Sequence, residues 1–363
     1  MTNVYIEKEG APELPMSLVF WPNYRFEISP KRLFLRDIMA QYKTPFFEVV
    51  ADPTEADFFA VPYEYFDVAD RYPAYLLRVY EKARMAGKKV LLFDYTDYVD
   101  RIPEFPAHAV LFRVSVYRHH KQPNELLMPY FVEDLGTRYA IGPKEWKGEP
   151  SIGYCGQSDF GTSWRHIRAR VKWGLSFLLL LLRFDAKPLV HQRGIFWRKR
   201  ALAIIKRSEL KSDITVRRFY ALHQKSGSFN AEEVRATYVE NLRANDFSLC
   251  VRGDANASQR FYETLSASRI PLFVDTDCVL PLEEIIDYDK VMLRVSWRDL
   301  VVFPQKVREF VTKASASDAR RIEQDARAVY DEYLRLDRFF SLVFDRNSSP
   351  YRDILYTTLP ARL

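Results

Sequence analysis

The sequence predicts an α/β protein built as two domains in tandem, and three observations carry that reading. Strand-like apolar runs alternate with stretches of helical spacing along both halves of the chain. The segment Gly136 to Pro150 is rich in glycine, proline and charge, and it separates the halves. Beyond it the same alternation starts again, without any internal repeat of sequence. Residues 1–148 are therefore read as one domain, 149–335 as a second, and 336–363 as a C-terminal helix and tail.

In the first half, Ser17 to Trp21 is a short apolar run and predicts a strand. Lys31 to Tyr42 carries Leu33, Phe34, Ile38 and Met39 at helical spacing. Phe46 to Ala51 is strand-like, and the turn residues 52–57 lead into the apolar run Phe58 to Pro62. Tyr75 to Ala86 is helical with Gly87 as its stop, and Lys89 to Phe93 predicts a buried strand ending at Asp94. The second half offers a strand at Ser151 to Cys155 running into Gly156, and a helix around Ala201 to Ser208. A strand at Asp246 to Val251, a helix from Ser258 and a strand at Ile270 to Val274 follow. Ser317 to Val343 places Ile322, Ala326, Val329, Tyr333, Leu336, Phe340 and Val343 at three- and four-residue steps, which predicts one long amphipathic helix.

Composition excludes several classes. With 363 residues and 48% hydrophobic content the chain can bury two cores, and 12 glycines and 20 prolines without a period exclude collagen-like designs. Cys155, Cys250 and Cys278 form no CxxC pair, so neither a disulfide framework nor a cysteine-rich zinc site is expected. They read as apolar fillers of buried strands in a reducing compartment. Met1 to Pro15 lacks the basic and apolar regions of an export signal, and the run Trp173 to Leu182 is too short to span a bilayer. A cytoplasmic protein is expected.

The net charge is +6, and its distribution says more than its size. Residues 163–207 hold twelve Lys or Arg against one acid, Asp185, which is +11 and leaves the remainder near −5. A basic belt on a mildly acidic body points to a local anionic partner, phosphates or a membrane surface. Nucleic acid is not expected, since no RRM, KH or zinc-finger pattern accompanies the belt.

The stretch with most chemical content runs from Asn245 to Gly253, through Ser258-Gln259-Arg260 and Glu263, to Arg269-Ile270-Pro271 and Asp275. It reads as a strand, a glycine turn, a helix capped by Ser258 and another strand. A helix start of this kind is an anion site, because its free N–H groups and positive dipole end face whatever lies above the sheet edge. Arg260 adds fixed charge, and Glu263 could accept hydrogen bonds from two ribose hydroxyls. Such a unit suits a sugar nucleotide.

On these residues the chain resembles the exostosin family of glycosyltransferases. The likeness extends to Asp52 through Tyr63, to Asn124-Glu125 with Pro129, and to Gly153-Tyr154-Cys155-Gly156-Gln157. Arg198 to Ala201 as a helix start, Ser258-Gln259-Arg260 with Glu263, Ile270-Pro271 and Leu280-Pro281 complete it. The resemblance implies a GT-B fold, two Rossmann-like domains facing across a cleft, with the donor nucleotide on the C-terminal domain and the acceptor on the N-terminal one. It also implies an inverting reaction from a UDP-sugar and a last helix that crosses back to the first domain. Donor-binding candidates are Gly156, Gln157, Arg200, Arg252, Gly253, Ser258, Arg260 and Glu263. A compact form without the membrane anchor and second catalytic domain of animal members is expected, and the insertion at about 160–195 has no family residues to map onto it.

Inversion needs one base for the acceptor hydroxyl and positive charge for the departing diphosphate. Arg200, Arg252 and Arg260 are the cationic candidates; Glu64, Asp67, Asp94 and Asp97, which follow first-domain strands, are the candidate bases. Asp275-Thr276-Asp277 resembles a metal-binding DxD motif of other glycosyltransferases, but at a strand end with cations at hand it reads as a polar strand-to-helix turn. No metal and no cofactor beyond the nucleotide-sugar substrate are expected. His119 and His120, beside Arg118 and Lys121, read as solvated surface.

Between Trp164 and Phe184, Trp164, Ile167, Val171, Leu175, Leu178 and Leu182 share one helical face, with Arg165, Arg168, Lys172 and Ser176 on another. Two readings stand open: a helix lying in a membrane interface, or one packed on the core with its arginines solvated. The interfacial reading implies a lipid-linked glycan acceptor at the inner face of the cell membrane. The expected function is thus an inverting glycosyltransferase in surface polysaccharide synthesis; the alternative is a non-catalytic nucleotide- or glycan-binding assembly protein of the same fold.

Overall fold

The computed structural model describes residues 1–22, 35–146, 149–159, 162–183, 187–217 and 230–357. Parts of three expectations lie outside them: 31–34 of the first helix, 160–161 and 184–186 of the insertion, and the tail 358–363.

Strands β1 (Thr2–Tyr5), β2 (Phe47–Val50), β3 (Phe58–Glu64), β4 (Val90–Asp94), β5 (Ala109–Arg113) and β6 (Glu125–Leu127) form one parallel sheet in the order β2-β1-β3-β4-β5-β6. Helices α1 (Leu35–Ala40), α2 (Tyr65–Arg71) and α3 (Pro73–Met85) connect them. Every residue of β3, β4, β5 and β6 is buried, the pattern of parallel strands covered on both faces.

After α4 (Leu135–Tyr139) come β7 (Ile152–Gln157), α5 (Ser163–Arg183), α6 (Lys187–Val190), α7 (Gly194–Arg207), β8 (Ser212–Arg217) and α8 (Ala231–Ala244). Then follow β9 (Phe247–Val251), α9 (Gln259–Ser266), β10 (Ile270–Asp275), β11 (Leu293–Ser296) and α10 (Phe303–Lys313). The second sheet is also parallel, in the order β11-β10-β9-β7-β8. Counted from its own first strand that is 2-1-3-4-5 read from the β8 edge, the order in which β1 to β5 of the first sheet are arranged. Two Rossmann-like lobes thus share a topology without sharing a sequence pattern.

Two expected elements take other forms. Ser17 to Trp21 is not a strand: Leu18–Phe20 is a single 3-10 turn with all three side chains buried, held by Ser17 N donating to the Pro62 carbonyl at 2.6 Å. The strand that pairs with both β2 and β3 is β1, whose polar Thr2 and Asn3 hide its register from an apolar-run reading. The predicted helix Ser317 to Val343 is broken. It comprises α11 (Ala316–Val329), a wide π-type turn at Tyr330–Leu334, and α12 (Leu336–Val343), with Arg335 extended between them (φ −66°, ψ 134°).

The break lets one amphipathic stretch serve both lobes. Arg327 of α11 bonds Asp134 (2.6 and 2.8 Å) beside the second sheet. α12 turns onto the first sheet, where Phe340 packs against Phe46, Phe47 and Phe112 at ring-centroid distances of 5.3–6.0 Å. The following α13 (Arg352–Tyr356) stays there, with Tyr356 against Phe58 and Lys89 Nζ donating to the Ile354 carbonyl. Elsewhere the lobes meet through Arg118, which forms a two-bond ion pair with Glu283 (2.6 and 2.9 Å), and through an antiparallel bridge between Tyr117 and Cys278.

Candidate functional site

In the second sheet the connections from β7 to β8 and from β9 to β10 leave in opposite directions, so the carboxyl ends of β7 and β9 flank an opening. Ligands of open α/β sheets bind at such a switch point. A crevice of about 440 Å3 lies there, walled by Cys155, Gly156 and Gln157 of β7, Val251 and Gly253 after β9, and Ser258, Gln259 and Arg260 at the start of α9.

Its floor is built by Arg260. The guanidinium donates to the carbonyls of Cys155 (2.6 Å) and Leu249 (3.2 Å), joining the ends of the two strands, and lies over the Tyr154 ring at 4.4 Å. Gly156 makes room for that geometry, since a Cβ there would stand 2.6 Å from Arg260 Nη2 and displace the guanidinium. Gly194 has a parallel role at the start of α7: a Cβ would meet the carbonyl oxygens of Gly253 at 2.1 Å and Arg252 at 2.4 Å. The glycine lets α7 press against the turn after β9 and brings Arg198 into the crevice, where it donates to the Gln157 carbonyl at 3.1 Å.

Ser258 stands at the N-cap of α9, but its hydroxyl caps no backbone N–H. The expected side-chain cap is absent, and the helix start faces the crevice. Glu263 lines the crevice one turn on, its carboxylate oriented by the Tyr238 hydroxyl (2.6 Å) and Arg235 (3.3 Å). Each of its oxygens accepts one of these bonds and keeps capacity for another. Arg235 is itself paired with the buried Glu133, which fixes the whole row.

Two cationic candidates sit elsewhere. Arg200 is not at a helix start; α7 begins at Gly194, and Arg200 lies over the Trp173 ring at 5.2 Å, outside the crevice wall. The periodicity of α7 instead turns Arg198 inward. Arg252 points to the other lobe, where it bonds the Tyr117 hydroxyl and lies over that ring at 5.2 Å, while its other nitrogens hold the Gly253 and Asp254 carbonyls.

Of the four candidate bases only Asp97 reaches the crevice. Burial in the wall pushes its carboxyl above the usual aspartate range, the Asp254 carboxylate adds to this, and a hydrogen bond from the Ala255 N–H opposes it. Glu64 is buried at the N-terminus of α2, where it accepts from the N–H groups of Phe66 (3.1 Å) and Asp67 (2.8 Å). Desolvation and the neighbouring Asp94 raise it to about 8. Asp94 is buried in turn, paired with Arg113 at 2.8 Å; Arg113 also holds Glu125 at 3.1 Å, and Thr96 caps the other Asp94 oxygen. This buried set ties β4, β5 and β6 together and has no opening to an acceptor. Asp67 is exposed on α2, away from the crevice wall.

The crevice also takes Arg217 from the end of β8 and Arg235 and Tyr238 from α8, which sequence reasoning missed. The only sequence signal of Arg235 and Tyr238 is a basic and an aromatic residue one helical turn apart, which most surface helices carry, and Arg217 is a single basic residue at a strand end. The cysteines are buried as expected. Among the described residues no helix is long and apolar enough to cross a membrane.

α5 keeps one expectation and reverses another. Trp164, Ile167, Val171, Leu175, Leu178 and Leu182 form an exposed stripe, with Trp164 70% and Leu182 69% accessible. Part of the side assigned to polar residues touches protein: Ser176 is buried and accepts from Gln192, and Lys172 donates to the His191 carbonyl at 2.7 Å, while Arg165 and Arg168 stay exposed. Trp173 stacks on Phe196 beside them.

Residues 199–310 match the family model of the Exostosin GT47 domain. An exostosin-1 homologue of Caenorhabditis elegans is 32% identical over 122 residues, 32% of this chain and 31% of the relative, so the chain spans about a third of that protein's length. Among solved structures, a glycosyltransferase from Rickettsia africae overlaps with TM-score 0.36 and 11% identity, over 84% of this chain and 78% of the other. The Anabaena protein Alr3699/HepE, solved in complex with UDP, overlaps with TM-score 0.39 and 9% identity, over 94% and 98% of the two chains. Those overlaps are weak, and the fold assignment stands on the two sheets.

Proposed function

From the match of residues 199–310 to the exostosin GT47 family model, in a chain whose two Rossmann-like lobes make a GT-B fold, we propose an inverting glycosyltransferase. It moves a sugar from a nucleotide donor, a UDP-sugar, to a hydroxyl of a glycan acceptor. One observation carries the proposal: the crevice at the β7/β9 switch point collects Arg198, Arg217, Arg235 and Arg260 on the second lobe and Asp97 from the first.

The division of labour follows from charge. The α9 start and Arg198 bind the donor diphosphate, and Glu263 accepts hydrogen bonds from the ribose hydroxyls with its remaining lone pairs. Asp97 takes the proton of the acceptor hydroxyl as that oxygen attacks the anomeric carbon. The bond from that carbon to the diphosphate oxygen breaks on the opposite side, its electron pair leaves with the diphosphate, and the guanidinium groups offset the new charge. Side-chain cations thus fill the place a divalent ion has in DxD enzymes. The exposed stripe of α5, with Arg165, Arg168 and Arg183 alongside, holds the protein at an anionic membrane face and suits a lipid-linked acceptor of surface polysaccharide synthesis.

A nucleotide-sugar panel screened by thermal shift, followed by transfer assays with the donor that binds, tests the reading. Asp97→Asn is expected to keep donor binding and to lose about 100- to 10,000-fold in turnover. A donor that binds with no transfer or hydrolysis would support the non-catalytic assembly protein, and failure of every nucleotide sugar to bind would remove the enzyme and leave only a glycan-binding role.

A further inference from the structure

Three imidazoles meet at the seam between the lobes. His119 and His120 lie on the short turn Arg118–His120 between β5 and β6, and His191 follows α6 in the other lobe. They are half-buried rather than a solvated surface, and one nitrogen from each ring lies within 4.8 Å of the other two. Nε2 of His119 and Nε2 of His191 are 3.1 Å apart.

The outward nitrogens are already engaged. Nδ1 of His119 bonds the Asp277 carboxylate, Nδ1 of His191 bonds Asp100 Oδ1 at 2.5 Å, and Nδ1 of His120 faces the Val99 carbonyl at 3.4 Å. A carbonyl only accepts, as does an ionised carboxylate, so in the neutral rings each Nδ1 carries the proton and each Nε2 presents a lone pair. Two lone pairs facing at 3.1 Å repel one another unless a cation lies between them. Two imidazole nitrogens bound at 2.0–2.1 Å to a tetrahedral ion stand about 3.3 Å apart, close to the spacing observed. A carboxylate on the far nitrogen is also what orients a metal-binding imidazole and raises its basicity.

We propose that His119, His120 and His191 bind one divalent ion of the zinc class and that this ion fastens the two lobes together, with its fourth position open to water. Imidazole sets favour zinc and its neighbours over magnesium or calcium, which take oxygen ligands. Asp277, from the turn after β10, and Asp100, three residues beyond Asp97, carry the outer hydrogen bonds and link the ion to both sides of the seam. Tyr117 stacks on His191 at 4.1 Å and closes one flank. The ion is separate from the charges assigned to the diphosphate, so its binding does not depend on that assignment.

The full chain, stripped with chelator and dialysed against Zn2+ or Co2+, is expected to retain one equivalent by elemental analysis. With Co2+ it should show the visible absorption of a four-coordinate site, and Zn2+ should raise its melting temperature. His191→Gln should weaken binding at least 100-fold, and Asp277→Asn about 10- to 100-fold. Asn accepts the left-handed backbone at Asp277 (φ 66°), so that variant keeps the fold should His191→Gln lose it. Retention well below one equivalent, equal binding by Asp277→Asn and wild type, or a stability that varies with pH identically with and without Zn2+ would overturn the proposal. The last result would mean that His119 and His191 share a proton instead.

Discussion

Asp97 and Glu64 are carboxyls raised for different reasons, and their substitutions separate those reasons. Asp97 lines the crevice, so its elevation moves the acid limb of turnover: activity should fall as pH drops through a value above the ordinary aspartate pKa of about 4. A pH–rate profile whose acid limb is unchanged in the residual activity of Asp97→Asn would assign the limb to another group. Glu64 is sealed, so its elevation acts on stability. Below about pH 4.5 both folded and unfolded states hold its proton; as pH rises toward about 8 the unfolded chain releases it first, and the folded state loses relative stability until it ionises too. Denaturation across that range should show wild type losing up to about 5 kcal/mol relative to Glu64→Gln, with the divergence flattening as pH passes above about 8.

Single helices carry the next level of argument. α5 leaves an apolar stripe in solvent over most of 21 residues, flanked by arginines, while its other side is anchored through Trp173 and Ser176. Vesicles containing anionic lipid should therefore pull the chain down in co-sedimentation, and Leu175→Glu with Leu182→Glu should release it without a change in melting temperature. Equal binding to neutral vesicles would show that the basic flank contributes nothing. Helical periodicity made the apolar stripe legible in the sequence, but which side touches protein was not, because both sides carry residues able to pack. α7 shows the same limit: its basic cluster Arg198-Lys199-Arg200 was visible, yet one helical step of about 100° decides which arginine enters the crevice.

At the scale of the whole molecule, the C-terminal segment ties the lobes by leaving α11 on the second and seating α12 on the first. Phe340 is buried against three aromatic rings of that first sheet. Phe340→Ala should cost about 3–5 kcal/mol, read as a drop in melting temperature, and should leave nucleotide binding on the second lobe intact in the folded fraction. A loss of nucleotide affinity equal to the loss of stability would show instead that the crevice depends on the seam directly.

The sequence by itself determined the two-lobed α/β class, most strands, the β9 turn into α9 and the apolar stripe of α5, because periodicity and glycine positions act over a few residues. Tertiary structure alone decided that Asp97 and not Asp94 opens onto the crevice, that Arg198 replaces Arg200, and that His191 joins His119 and His120. Those groupings bring together residues far apart in the chain, 41 positions for Arg198 and Gln157 and 72 for His119 and His191, and only the register of packed sheets and the docking of one lobe on the other sets their distances.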